Sequence, residues 1–518
     1  MIIKKTIINK IKKSNSIEDL ITLSKSYYST IPIKIRSIIF NQVIFQRRID
    51  YDDKYFSIKL ATNLALLFMS YPFHKKFFKI FQNNKKTQEE IIVFRLFTNK
   101  FQELYISQQT IQSSFNEKSF HPTYWNYHFH YVSISLGEYL EIFKLLEKVS
   151  NKIYGFSVYE FSKLLIFLTL DVIHKPSEGT VEITNIWISN DQMKQYIHKN
   201  PSFENISKFF LKESEFESGI VYPTDIPKIF RGKIGIKIKE GYFVPQSYFI
   251  FENVLRQLIE SPIADDVKGK ILEKHVVEIL QDFFGNESVI TTYFDEDGNE
   301  QDILVSYKNY ILALECKAQD FKEVFRNHTK ALNRLNRRFN QIILKGCKQC
   351  DRVKENISNN NSVSYYDSDD KESRNEIIKI SNTRKIEVLK IVVTLDDYLN
   401  LSESPHEFLD EKYKDTWVVN LFNLKKILWK SNKEEFVSYV KYRTSLLETI
   451  KSINSDELEQ FGYFISPNFN LYPPNNLGIN ISLKPSFSKV FELYEAYSIE
   501  KELVKLDEYL NDISHKTH

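Results

Sequence analysis

The chain has 518 residues, of which 42% are hydrophobic, 26% charged and 14% aromatic, with 13 glycines and three cysteines. That composition excludes collagen-like, disulfide-framework and wholly disordered proteins, and the length suits about two to four domains with a sizeable core. Seventy Lys and Arg against 67 Asp and Glu leave a net charge of +3, so a polyanion-binding surface must arise from local clustering.

Glycine is scarce, and neither GxxxxGK[ST] nor GxGxxG occurs, which speaks against a nucleotide-driven motor or a dinucleotide-dependent dehydrogenase. Cys316, Cys347 and Cys350 suit a reducing compartment, so the cytoplasm is the expected location. The longest apolar run, 164–173 (LLIFLTLDVI), carries Asp171 and is far short of the ~20 residues that span a bilayer. It predicts a buried helix and no membrane partner.

Residues 1–261 read as a mixed, mainly helical region with a recognition or regulatory role. The basic, amphipathic start (MIIKKTIINKIKKSNS) predicts a surface helix, and 52–71 and 135–149 carry apolar residues at helical spacing. The aromatic run 124–131 (YWNYHFHY), with His128 and His130, reads as core or pocket wall. Residues 232–246 alternate Ile234, Ile236 and Ile238 with lysines and predict a hairpin.

The informative stretch is 265–352. Residues 265–284 predict a helix opened by an Asp pair and closed at Gly285, with Leu272, Val276 and Leu280 on its packing face. Glu273 lies on a stripe with Val277, Leu280 and Phe284, where a carboxylate needs compensation, whereas Glu278 sits on the polar side. Three strands follow: 287–294, 301–307 and 310–318. With Lys308 and Asn309 in the turn, residue numbers of antiparallel partners sum to 617, which sets Asp302 across from Glu315. Lys317 shares that face. Directly opposed carboxylates repel, and a divalent cation between them reverses the sign. Oxygen ligands suit Mg²⁺, whose bound waters become nucleophiles for a phosphodiester, with Lys317 as a fixed positive charge beside them.

These residues resemble the PD-(D/E)XK nuclease superfamily: a helix with Glu273, then Gln301-Asp302, then Glu315-Cys316-Lys317 at a strand end before a helix. Gln301 stands where the name-giving motif has proline. The resemblance covers about 262–422. It implies an α/β central domain, a mixed sheet flanked by helices in a restriction-endonuclease-like fold. It further implies Mg²⁺, or Mn²⁺ in its place, held by Asp302, Glu315 and the Cys316 carbonyl with help from Glu273, and Lys317 as the catalytic lysine.

Between Val324 and Cys350 there is no acidic residue, while Arg326, Lys330, Arg334, Arg337, Arg338, Lys345 and Lys348 recur mostly at three- and four-residue intervals. Phosphates are the natural counter-ions of such a stripe, which points to nucleic acid, with DNA the expected substrate. Gln341 beside it resembles the glutamine that exonuclease-type members carry after the motif lysine; Lys345 stands where those members have tyrosine. Cys347-x-x-Cys350 lacks the further ligands of a zinc site and reads as packing.

The polar tract 356–376 predicts a solvated, disordered insertion in a domain spanning 262–430, followed by buried strands at 385–395 and 416–422. Residues 431–518 read as a helical C-terminal extension. The expectation is a DNA endonuclease, acting without an ATP motor of its own, with defence against foreign DNA as the role suggested by analogy. The aromatic flanking regions suit recognition or a homodimer contact. The alternative is a nuclease-like fold that binds nucleic acid or a partner without cutting.

Overall fold

A computed structural model describes residues 2–31, 36, 40, 58–71, 84–112, 134–163, 165, 186–199, 201–239, 241–245, 247–265, 267–319, 328–381, 386–398, 400–449, 452–453, 455–467, 469, 480–481, 483 and 485–503. The run 124–131, most of 164–173, Arg326 and residues 504–518 lie outside them. The N-terminal region is a set of helices, among them Ile2–Lys13, Ile58–Ser70, Asn84–Gln112, Leu136–Leu145 and Ser247–Ile259. They are joined by a four-stranded sheet in which Gly235–Ile238 and Gly241–Val244 form the expected hairpin. No described helix is long and apolar enough to cross a membrane.

The central region is α/β. Helix α1 (Lys268–Phe284) buries Leu272, Val276, Leu280 and Phe284 at 3.6-residue spacing. It stops at Gly285, whose N–H still bonds the Gln281 carbonyl and whose φ of 102° then turns the chain out of the helix. Asp265 does not cap it, and Asp266 lies outside the described residues. Asp265 belongs to a separate short turn, Pro262–Asp265, and bonds Lys268 Nζ at 2.6 Å instead. Strands β1 (Val289–Phe294), β2 (Glu300–Tyr307) and β3 (Tyr310–Lys317) form an antiparallel meander. Ile303↔Leu314 and Tyr307↔Tyr310 give the register set by the Lys308-Asn309 turn, with Lys308 at a left-handed φ of 56°.

Helix α2 (His328–Phe339) runs through a π-helical turn (Asn340–Leu344) into α3 (Lys345–Asn359). Residues 356–376 are not a disordered insertion. α3 extends to Asn359, and β4 (Ser362–Tyr366) and β5 (Glu376–Ser381) form a hairpin that prolongs the sheet. Their few apolar residues sit at alternate positions, so Val363, Tyr365 and Ile380 are buried while the intervening polar side chains are wet.

β6 (Glu387–Thr394) and β7 (Thr416–Asn420) complete a mixed seven-stranded sheet of order β7-β6-β3-β2-β1-β4-β5. β6 pairs parallel with both β3 and β7, so these strands are covered on both faces and read as near-continuous apolar runs. Each fully buried Leu, Ile or Val there contributes about 1.5–3 kcal/mol. One face packs against α1 through Leu312, Leu314, Ile303 and Val305. The other, with Ile311, Ala313 and Leu304, packs against Ile342, Ile343, Cys347 and Cys350 of the α2–α3 segment.

Helices α4 (Leu421–Lys430), α5 (Lys433–Thr449), α6 (Glu457–Phe464) and α7 (Glu492–Leu503) follow. Helices α5 and α6 are fixed to β7 through one buried carboxylate. Glu457 accepts from Trp417 Nε1 at 2.9 Å, Tyr439 Oη at 2.5 Å and Arg443 Nη2 at 2.8 Å. Burial of an unpaired carboxylate is costly, and three convergent donors offset it.

Candidate active site

Asp302, Glu315 and Lys317 converge at the C-terminal end of β3. Alternation places Glu315 and Lys317 in line with Ile311 and Ala313, toward α3. Lys317 Nζ lies 2.8 Å from Glu315 Oε2 and 3.9 Å from Asp302 Oδ2. The backbone reinforces the cluster. Asp302 N–H donates to Glu315 Oε1 at 3.3 Å, and Cys316 N–H donates to Asp302 Oδ2 at 2.7 Å. Cys316 thus enters the site through its N–H; a ligand role for its carbonyl stays a proposal. Glu315 is 1% exposed and Lys317 7%, so both groups stand largely out of water.

Burial pushes the Glu315 carboxyl up to about 8, the negative charge of Asp302 adds to the rise, and the Lys317 ammonium only partly opposes it. For Lys317, burial disfavours the ammonium, but the two carboxylates outweigh it and hold its pKa above the ordinary lysine value. Lys317 therefore stays protonated at neutral pH and is a charge donor rather than a base. Glu273 reaches the same rim from α1. Its carboxyl is raised by partial burial and by the Asp302 charge, and it accepts a hydrogen bond from Thr292 Oγ1 at 3.1 Å. Glu278 is exposed, as expected.

Two neighbours escaped sequence reasoning. Gly346, at the start of α3, lies so close to the sheet that a Cβ would sit 2.9 Å from Val392 Cγ2 and 3.2 Å from Lys317 Cε. Only glycine lets the helix lie against the lysine stem. Its signal was present: a glycine on the apolar face of a helix in a glycine-poor chain. Gln301, by contrast, shows in the sequence only as a departure from proline. Its amide is buried, and among the described residues neither Oε1 nor Nε2 has a hydrogen-bond partner.

The basic stripe is borne by α2, the π-helical turn and α3. Lys330, Arg337, Lys345 and Lys348 are exposed, Arg334 and Arg338 half-buried, and Gln341 is exposed on the π-helical turn. Leu335, Phe339, Ile342 and Ile343 pack inward. The close approach of Gly346 to Lys317 sets the start of α3, the helix that carries Lys345 and Lys348, beside the lysine stem. Cys347 and Cys350 are buried, and Cys350 Sγ donates to the Ala313 and Ile391 carbonyls at 3.4 Å, a packing role.

Helix α1 is anchored from behind. His275 Nε2 lies 3.2 Å from Glu141 Oε1, and Glu141 also pairs with Lys425 of α4. Two described cavities lie away from the cluster. One of about 230 Å³ is lined by Glu141, Asp282, Lys425, Trp429 and Glu502, and one of about 670 Å³ opens at the opposite end of β3 and β6, beside Tyr310, Glu387 and Asp415. Neither reaches Asp302.

Among the described residues no group of three or more His, Cys, Asp or Glu side chains is arranged to hold a metal ion. Two carboxylates are nonetheless enough for Mg²⁺, which keeps most of its waters. Burial, with the Asp302 charge added to it, disfavours an ionised Glu315, and a cation between the two carboxylates would offset both, so the oxygen donor set fits a hard divalent ion. The chain matches no protein-family model, no curated protein and no solved structure.

Proposed function

We propose that the chain is a metal-dependent nuclease with a restriction-endonuclease-like central domain of the PD-(D/E)XK type, acting on DNA as an endonuclease. The observation that carries the reading is the convergence of Asp302 and Glu315 on the buried Lys317 ammonium at a strand end. Asp302 and Glu315 would hold Mg²⁺ or Mn²⁺, with Glu273 beside them. When bound, such an ion supplies Lewis acidity, polarising the scissile phosphate and acidifying a water.

The chain's own groups do the rest. Lys317, kept cationic by its two carboxylates, offers positive charge to a phosphate whose negative charge grows as the attack proceeds. Glu315 would hold the ion as a carboxylate, having given up its proton. The basic face of α2 and α3 aligns the phosphate backbone, leading it past Gln341 and Lys345 to Lys317. A cytoplasmic role in defence against foreign DNA, and homodimerisation through the aromatic flanking regions, belong to the same proposal.

A second reading, a non-cleaving binder of nucleic acid, is favoured by the absence of a three-ligand acidic group among the described residues. Plasmid cleavage separates the two. We expect nicking or linearisation with Mg²⁺ and none with EDTA. The double variant Arg334→Glu with Arg338→Glu should bind DNA at least about tenfold more weakly, with a shallower dependence of affinity on salt. DNA binding with Mg²⁺ but no cutting of plasmid, linear or single-stranded substrates would establish the binder.

A further inference from the structure

Strand β1 contains an irregularity at the level of Asp302. Its pairing with β2 runs Thr291↔Ile303 and Tyr293↔Gln301, with the intervening Thr292/Asp302 pair left out of the ladder. There Thr292 adopts a φ of 47°. Left-handed backbone is rare for any residue with a Cβ and a genuine outlier for a β-branched one, so it persists only where the surroundings impose it. The Thr292 side chain is exposed, and packing of that side chain does not explain the conformation. Its hydroxyl bonds Glu273 Oε1 at 3.1 Å, and Glu273 feels both Asp302 and Lys317.

We propose that Thr292 is a positioning residue for Glu273, its left-handed backbone aiming Oγ1 across the layer so that the helix-borne carboxylate is held toward the Asp302–Lys317 cluster. This rests on the nuclease reading above. In a regular strand the residue facing Asp302 would continue the ladder. The left-handed turn instead releases the side chain toward α1, the layer that carries Glu273. A hydrogen bond from a hydroxyl leaves the second carboxylate oxygen free and fixes the rotamer, as groups behind a ligand do in metal sites.

The turn has a second effect, which supplies the rival account. Val289 packs on the α1 face, yet Tyr293, four residues on, packs on the opposite face against Tyr365, with ring centroids 4.9 Å apart. On that account the irregular backbone serves only to redirect Tyr293.

Three variants decide between them: Thr292→Ser, which keeps the hydroxyl, Thr292→Gly, which accepts the backbone but has no hydroxyl, and Thr292→Val. Binding of Mn²⁺ is measured by electron paramagnetic resonance, and Tm is measured in EDTA. The proposal expects Thr292→Gly to keep a Tm at least equal to the parent's while binding Mn²⁺ at least about tenfold more weakly. Thr292→Val should lose the same affinity, and Thr292→Ser should retain it. Parental affinity in Thr292→Gly, or loss of affinity in Thr292→Ser, would overturn the proposal and leave the redirection of Tyr293 as the role of the turn. If the parent protein binds no Mn²⁺, the nuclease reading itself fails and takes this inference with it.

Discussion

Lys317→Met should reduce the rate of DNA cleavage by about 10²–10³-fold, the loss typical of removing one preorganised charge from a site of developing negative charge. The substitution retains the length of the side chain that lies against Gly346 and removes only the ammonium. Truncating one member of a buried ion pair usually destabilises by about 3–5 kcal/mol, because a charge is left alone out of water. Here the penalty should be much smaller. Glu315 is already pushed up to about 8 and holds a proton at pH 7, so loss of Lys317 leaves no bare carboxylate behind. Cleavage assays beside thermal melts check both halves. An active Lys317→Met would remove the lysine from the reaction, and a collapsed fold would mean that Glu315 remains ionised.

Metal affinity should rise steeply with pH and level off near 8. Below that value each cation that binds through Glu315 displaces its proton, so the apparent affinity gains about tenfold per pH unit. The same shift governs stability without metal. The folded carboxyl titrates near 8 against 4.5 for an ordinary glutamate, so between these values the native state holds more protons than the unfolded chain. Stability of the metal-free protein therefore falls as pH rises from 4.5 to 8 and is level above. Saturating Mg²⁺ should flatten that slope, and Glu315→Gln should abolish both effects. Calorimetric titrations at pH 6, 7 and 8, with melts in EDTA, measure them. An affinity independent of pH would show that no proton is displaced and that Glu315 is not a ligand.

The register that joins Asp302 to Glu315 was legible because a two-residue turn and strict alternation leave little freedom, and the apolar strands β3, β6 and β7 announce themselves by composition. Other features depend on tertiary context. The β4–β5 hairpin was hidden because its buried residues are few and separated by polar ones. The cap signal at Asp265 misled, since Pro262 starts its own turn and Lys268 captures Asp265. No local pattern marks Thr292 as left-handed, because its hydroxyl partner lies 19 residues earlier on another layer.

The central claim is a single divalent ion shared by Asp302 and Glu315 beside Lys317. Anomalous diffraction from crystals soaked in Mn²⁺ tests it most directly. The account predicts one strong peak between the two carboxylates, absent from Asp302→Ala crystals. No peak there in a well-occupied soak, or a peak that persists without Asp302, would contradict it.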